Sequence, residues 1–147
     1  MKNVLITGGL GFIGSNLAIQ YLKRGFKVTI YDNFDKNSGA NLFNLSEYLP
    51  HINIIKGDIL NFELLKKNIK NNSLILNCAA ASSHIQSMTK PLSNLDVNIK
   101  GVLNILELIK QKKLDTKYIQ IGTTTQIGNL LKKRADELHP EYPRDIY

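Results

Sequence analysis

The 147-residue sequence predicts an α/β fold, a doubly wound parallel sheet that stops after about its fifth strand. Three observations support this fold. Short apolar runs alternate with segments of helical spacing, the runs are continuously apolar like strands covered on both faces, and a glycine-rich turn joins the first run to the first helical segment. We expect one domain over residues 1–147, with strand order 3-2-1-4-5.

The first elements form a strand, a glycine turn, a helix and a second strand. Residues 2–7 form an apolar run, and Leu17, Ala18, Tyr21 and Leu22 have the spacing of a helix over 15–24. Gly25 ends that helix, and 27–31 (KVTIY) is the next strand. The polar stretch 32–39 is a loop.

The alternation continues through the rest of the chain. Further strands are predicted over 52–56, 74–78 and 118–121, with helices over 40–48, 62–69 and 92–110. The last helix is the best supported, because Leu95, Ile99, Val102, Leu106 and Ile109 recur at helical spacing. After residue 128 the pattern weakens.

Composition and charge narrow the classes of protein. The net charge of +7 comes from scattered basic pairs, which indicates a solvated surface and no nucleic-acid site. No apolar run is long enough for a membrane span, and the start lacks a signal-peptide pattern, so we expect no membrane partner and a cytoplasmic location. Cys78 is the only cysteine, which fits a reducing compartment. The three histidines lack metal-ligand spacing, so no metal site is expected.

The glycine turn is a candidate phosphate site. Gly9, Gly11 and Gly14 satisfy G-x-G-x-x-G, and Gly8, Gly11 and Gly14 also give G-x-x-G-x-x-G. Between a strand and a helix, this turn would direct backbone N–H groups and the helix dipole at a pyrophosphate. This is the arrangement of a Rossmann-like fold. The alternative is a tight connection without a ligand.

Two aspartates follow strands at the same edge of the sheet. Asp32 ends the second strand, where a carboxylate can accept hydrogen bonds from an adenosine ribose and would repel a 2′-phosphate, which favours NAD over its phosphorylated form. Asp58 follows the third strand, within reach of an adenine amine. The alternatives are a turn residue for Asp32 and a helix N-cap for Asp58.

Six blocks of the sequence resemble the extended short-chain dehydrogenase/reductases, the family of NAD-dependent nucleotide-sugar epimerases and dehydratases. The blocks, in order, are TGGLGFIGSNL at 7–17, YDNF at 31–34, GDI at 57–59, NCAAA at 77–81, KPLSNLDVNIKGVLNILE at 90–107 and IGTTTQIGN at 121–129. They cover nearly the whole chain, in the family's order and spacing.

The resemblance implies roles for individual residues in holding NAD. The pyrophosphate would lie against the glycine turn, the ribose and adenine against the ends of the second and third strands, and the middle of the cofactor against the fourth, with one further residue in the long helix. These residues are, respectively, Gly8, Gly11, Phe12, Ile13 and Gly14; Asp32 and Asn33; Asp58 and Ile59; Ala79 and Ala80; and Asn98.

The resemblance also implies catalytic residues. The family uses a Ser or Thr after the fifth strand, matched by Thr123, and a Tyr base followed four residues later by a Lys that lowers its pKa. Tyr147 matches the base by its distance from Thr123, whereas Tyr142 has Ile146 where the lysine would stand. Weaker substrate-binding candidates are Ser82, His84 and Thr124. The alternative for 123–125 is a β-prone threonine run that ends a strand.

The activity implied is the epimerisation or dehydration of a nucleotide-linked sugar through its transient oxidation. Because residue 147 is the last in this sequence, we expect the N-terminal part of such an enzyme, without its lysine or its C-terminal substrate domain, and inactive alone. The resemblance allows a homodimer for the full-length form. The alternative is a non-catalytic dinucleotide-binding module or a gene remnant.

Overall fold

The computed structural model describes residues 2–70 and 72–144, and its centre is a parallel five-stranded sheet. The strands are β1 (Asn3–Thr7), β2 (Lys27–Asp32), β3 (Asn53–Lys56), β4 (Leu74–Asn77) and β5 (Lys117–Gln120). They lie in the order β3-β2-β1-β4-β5, with every pair parallel. The predicted fold class, strand positions and strand order are therefore confirmed.

The helices cover both faces of the sheet. They are α1 (Phe12–Lys23), α2 (Phe62–Asn68), α3 (His84–Thr89), α4 (Pro91–Leu95) and α5 (Gly101–Gln111), with a π-helical turn (Asp96–Lys100) between α4 and α5. The first core cluster contains Val4 and Ile6 of β1, whereas Leu5 belongs to the second cluster with Ile105 and Leu108 of α5. Alternate residues of β1 thus point into two separate cores, which is why the strand is continuously apolar.

The prediction of a helix over 40–48 is wrong. The segment instead contains a 3-10 turn at Leu42–Leu45, and a second 3-10 turn follows it at Leu49–His51. The Asn41 side chain accepts the N–H of Phe43, and Asn44 donates to the carbonyl of Leu10 at 2.8 Å. These local and tertiary bonds compete with an α-helix for the backbone.

The helix predicted over 92–110 is present but divided. Pro91 is at its first turn, where a missing N–H costs nothing, and a π-helical turn separates α4 from α5. Helix α3 was not predicted, although Ser83 caps it by accepting the N–H of Gln86 at 3.2 Å. Within residues 2–70 and 72–144, no helix combines the length and apolar character that crossing a membrane requires.

Candidate cofactor-binding cleft

At two positions of the glycine turn between β1 and α1, Gly8 and Gly14, a side chain would collide with the backbone. Gly8 has a φ of +64°, and a Cβ there would lie 2.6 Å from the backbone nitrogen of Ala79 at the end of β4. A Cβ on Gly14 would overlap the carbonyl oxygen of Gly8. The turn, the start of α1 and the end of β4 are therefore in direct backbone contact.

Gly11 is different, because nothing in the protein requires glycine there. Its backbone is extended, with φ −74° and ψ 175°, and a Cβ would lie 3.4 Å from the oxygen of Gly8, an ordinary contact. A missing side chain at this position therefore leaves open surface. Close approach of a ligand to the backbone is what such surface permits.

The N-terminus of α1 opens at this surface. Gly11 is its N-cap, no side chain caps it, and its first turn has no acidic residue. The first N–H groups of an α-helix have no partner within the helix, and the helix dipole favours an anion near them. The turn can therefore bind a phosphate group.

Asp32 holds this turn in place from the end of β2. Its carboxylate accepts the N–H of Leu10 at 3.0 Å and that of Phe34 at 2.8 Å, and the residue is only 5% exposed. The bond to Phe34 shows that Asp32 is a turn residue, which was the alternative to a ribose ligand considered for it. Because each carboxylate oxygen has two acceptor sites, these bonds leave acceptor capacity for a ligand.

Asp58 is not the N-cap of α2, because Asn61 occupies that position and accepts the N–H of Leu64 at 3.0 Å. The Asp58 carboxylate instead accepts the N–H of Leu60 at 2.8 Å and an N–H of Asn33 at 3.1 Å. The structure therefore brings Asn33 and Asp58 together at the carboxyl ends of β2 and β3.

A cavity of about 190 Å³ lies between these residues and the glycine turn. Predicted residues that line it are Gly8, Gly11, Asp32, Asn33, Asp58, Ile59, Ala79, Ala80 and Ser82. Further polar lining residues that the sequence did not identify include Asp35, Asn37, Ser38 and Gln86. The sequence showed only that three of these four lie in a polar loop, and the fourth, Gln86, lies in α3, a helix that was not predicted. The Ile59 side chain is only 4% exposed and packs in the second core cluster.

A larger cavity of about 530 Å³ lies on the other side of the glycine turn, towards β5. Predicted residues that line it are Gly8, Gly11, Phe12, Ile13, Gly14, Ala79, Ala80, Ser82, Asn98 and Thr123. Residues that the sequence missed there include Ile99, Val102, Gln120 and Gln126. Asn98 lies in the π-helical turn, and its Oδ1 accepts the N–H of Ala81 at 2.9 Å, so it also fixes the segment after β4.

Thr123 begins the 3-10 turn Thr124–Ile127 at the far wall of the larger cavity. Its hydroxyl oxygen lies 2.9 Å from that of Thr125 and accepts the Thr125 N–H at 3.3 Å. Strand β5 ends at Gln120, so 123–125 do not belong to it, contrary to the alternative considered for them. Of the weaker substrate candidates, Ser82 lines both cavities, whereas His84 and Thr124 line neither. Tyr147 lies outside the described residues.

Two groups beside the cleft keep their protons at neutral pH. Burial raises the pKa of the Cys78 thiol to about 11. Burial and the nearby Asp58 carboxylate raise the pKa of Tyr31 to about 12, and its hydroxyl donates to the Asp58 carbonyl at 3.1 Å. Neither group is a nucleophile or base at neutral pH. In the described part of the chain, no group of three or more His, Cys, Asp or Glu residues could hold a metal ion.

The parallel sheet, the glycine turn at its switch point and the cleft along its carboxyl edge define a Rossmann-type domain, the class that binds dinucleotides. More narrowly, the chain belongs to the GDP-mannose 4,6-dehydratase family, whose model matches residues 5–147. The expected relationship to the extended short-chain dehydrogenase/reductases is thereby confirmed.

Individual relatives are nucleotide-sugar epimerases and dehydratases. CDP-paratose 2-epimerase of Salmonella typhi is 28% identical over 95% of this chain and 42% of its own length. The dTDP-glucose 4,6-dehydratase of Bacillus anthracis, solved in complex with NAD, is 30% identical with a TM-score of 0.77 over 99% of this chain and 45% of that one. UDP-N-acetylglucosamine 4-epimerase of Methanobrevibacter ruminantium is 31% identical, with a TM-score of 0.84, and the match covers 99% of this chain and 46% of that one. The chain thus spans less than half the length of these relatives.

Proposed function

We propose that the chain is the NAD-binding part of an epimerase or dehydratase that acts on a nucleotide-linked sugar. The observation that supports this most strongly is the order of groups along one cleft. Carboxylates lie at one end, an uncapped helix N-terminus with an open glycine surface lies in the middle, and a threonine hydroxyl lies at the other end.

The cleft fits NAD by its shape and its chemistry. Asp32, Asn33 and Asp58 offer acceptors and a donor to an adenosine, and Asp32 disfavours a 2′-phosphate in the same place. The open surface at Gly11 and the N-terminus of α1 would hold the pyrophosphate. The larger cavity, with Thr123 in its wall, would take the nicotinamide half. NAD, when bound, supplies the capacity to accept a hydride from the sugar and return it.

The protein residues would orient the sugar and move a proton. The Thr123 hydroxyl would hydrogen-bond the substrate oxygen, and Tyr147 would take the proton from that oxygen as general base. These roles are predictions from the family, as are the homodimer and the separate substrate domain, whereas the cytoplasmic location is a prediction from the sequence. The sugar nucleotides of the relatives, such as GDP-mannose, dTDP-glucose and UDP-N-acetylglucosamine, are the first substrates to test.

Calorimetric titration of the folded 147-residue chain with NAD and with NADP tests the cofactor assignment. We expect NAD to bind and NADP to bind more weakly, because the 2′-phosphate would meet Asp32. A folded chain that binds neither would contradict the proposal. Incubation of the NAD complex with the three sugar nucleotides then tests the expectation that this chain is inactive alone, and turnover would contradict that expectation and exclude the non-catalytic alternative.

A further inference from the structure

A row of hydrogen-bonded polar side chains crosses β1, β4 and β5 near the carboxyl edge of the sheet. The Thr7 hydroxyl donates to Oδ1 of Asn77, and Nδ2 of Asn77 donates to Oε1 of Gln120 at 2.8 Å. The same Oε1 accepts the hydroxyl of Tyr118 at 2.5 Å. We call Thr7, Asn77, Gln120 and Tyr118 the polar row.

The register of the sheet creates this row. Thr7 is paired with Asn77, and Asn77 with Gln120, so the three side chains lie side by side, while Tyr118 is on the same face two residues before Gln120. Thr7 and Asn77 are fully buried. Buried polar groups without partners are costly, so the two innermost members favour a single hydrogen-bonded arrangement.

The row ends on the backbone of the segment that carries Thr123. Nε2 of Gln120 donates to the carbonyl of Ile121 at 2.9 Å. At the other end, Thr7 directly precedes Gly8. Gly8 follows one end of the row and Thr123 follows the other, and both residues line the larger cavity. The row therefore connects the glycine turn to residues 121–128, which we call the Thr123 loop.

We infer that Gln120 is a positioning residue that holds the Thr123 loop at a fixed separation from the glycine turn. Its carbonyl oxygen is fixed by Asn77 and Tyr118, so its amide nitrogen presents a fixed donor to Ile121. The inference rests on the proposed function, because this separation sets the width of the cavity assigned to the nicotinamide half.

Two substitutions separate the bond to Ile121 from the rest of the row. Gln120→Glu keeps acceptors for Asn77 and Tyr118 but places a carboxylate oxygen against the Ile121 carbonyl. Gln120→Leu removes all three bonds. Ile119→Val is the control, because its side chain is on the opposite face of β5.

Calorimetry with two ligands shows which half of the cleft each substitution affects. We expect both Gln120 variants to bind NAD about tenfold more weakly, the scale of one lost hydrogen bond, and to bind ADP as the wild type does. Ile119→Val should bind both ligands as the wild type does. Equal losses for NAD and ADP, or a loss confined to Gln120→Leu, would overturn the inference.

Amide hydrogen exchange of the ligand-free chain tests the same inference without the cofactor. We expect both Gln120 variants to lose protection in the Thr123 loop while β1 and the start of α1 keep theirs. Unchanged protection in that loop would overturn the inference. A wild-type chain that fails to bind NAD would contradict the proposed function, and hydrogen exchange would still decide the role of Gln120.

Discussion

The Asp32 carboxylate accepts the backbone N–H of Leu10 at 3.0 Å, and so ties the end of β2 to the glycine turn after β1. The same residue is the expected ribose ligand. We therefore expect one buried carboxylate to link the stability of the turn to recognition of the cofactor.

Replacing Asp32 should therefore reduce stability as well as binding. Asp32→Ala leaves the N–H groups of Leu10 and Phe34 without this acceptor, and an unsatisfied buried donor costs about 1–3 kcal/mol. We expect the free energy of unfolding in urea to fall by that order and NAD affinity to fall with it. Asp35→Ala, which removes an exposed bond to Asn37, is the control and should change stability less. Equal losses for the two variants would contradict this role.

Lys112 should stabilise α2 from a distant part of the sequence. Its ammonium donates to the carbonyls of Lys66 and Ile69, at 2.5 and 2.8 Å, at the C-terminal end of that helix. We expect Lys112→Met to lower the free energy of unfolding by about 1 kcal/mol and to speed amide exchange at that end of α2. Lys110→Met is the matched control, and an equal effect there would indicate a general charge effect.

The stability of the chain should fall at alkaline pH. Tyr31 and Cys78 have pKa values of about 12 and 11 in the folded chain, above their ordinary values of 10.0 and 9.0. Below pH about 9 both groups keep their protons in both states, so their contribution to stability is complete. Between about pH 9 and 12 the unfolded chain loses these protons first, and the free energy of unfolding falls. Urea titrations should show a shallower fall for Tyr31→Phe; identical slopes would contradict the assignment.

Cys78 should report occupancy of the cleft. Cys78 lines both cavities, and its raised pKa leaves little thiolate at neutral pH. We expect slow alkylation by iodoacetamide in the folded chain, slower still with saturating NAD, and a normal rate in urea. If NAD gave no protection although calorimetry showed that it binds, the ligand would lie elsewhere.

The sequence was sufficient to predict the sheet because β1, β2 and β4 are buried and their apolar runs are unambiguous. It failed at 40–48, where Asn41 and Asn44 form local and tertiary hydrogen bonds that apolar spacing does not encode. The glycines and aspartates that follow strands were likewise visible in the sequence, and they line the cavities of the candidate cleft. Gln120 was missed because its partners are 43 residues away in sequence or on its own strand, and only the register brings Asn77 beside it.

The most direct test of the account compares Gly11→Ala with Gly14→Ala. A Cβ on Gly14 would overlap the glycine turn, so that variant should be destabilised by about 1–3 kcal/mol. A Cβ on Gly11 meets only an ordinary contact, and its N-cap position predicts a cost below about 1 kcal/mol. Calorimetry of the stably folded Gly11→Ala chain should show NAD affinity at least about tenfold lower, because the methyl group would occupy the surface assigned to the pyrophosphate. Unchanged NAD affinity in that variant would contradict the central claim that this glycine turn holds the cofactor.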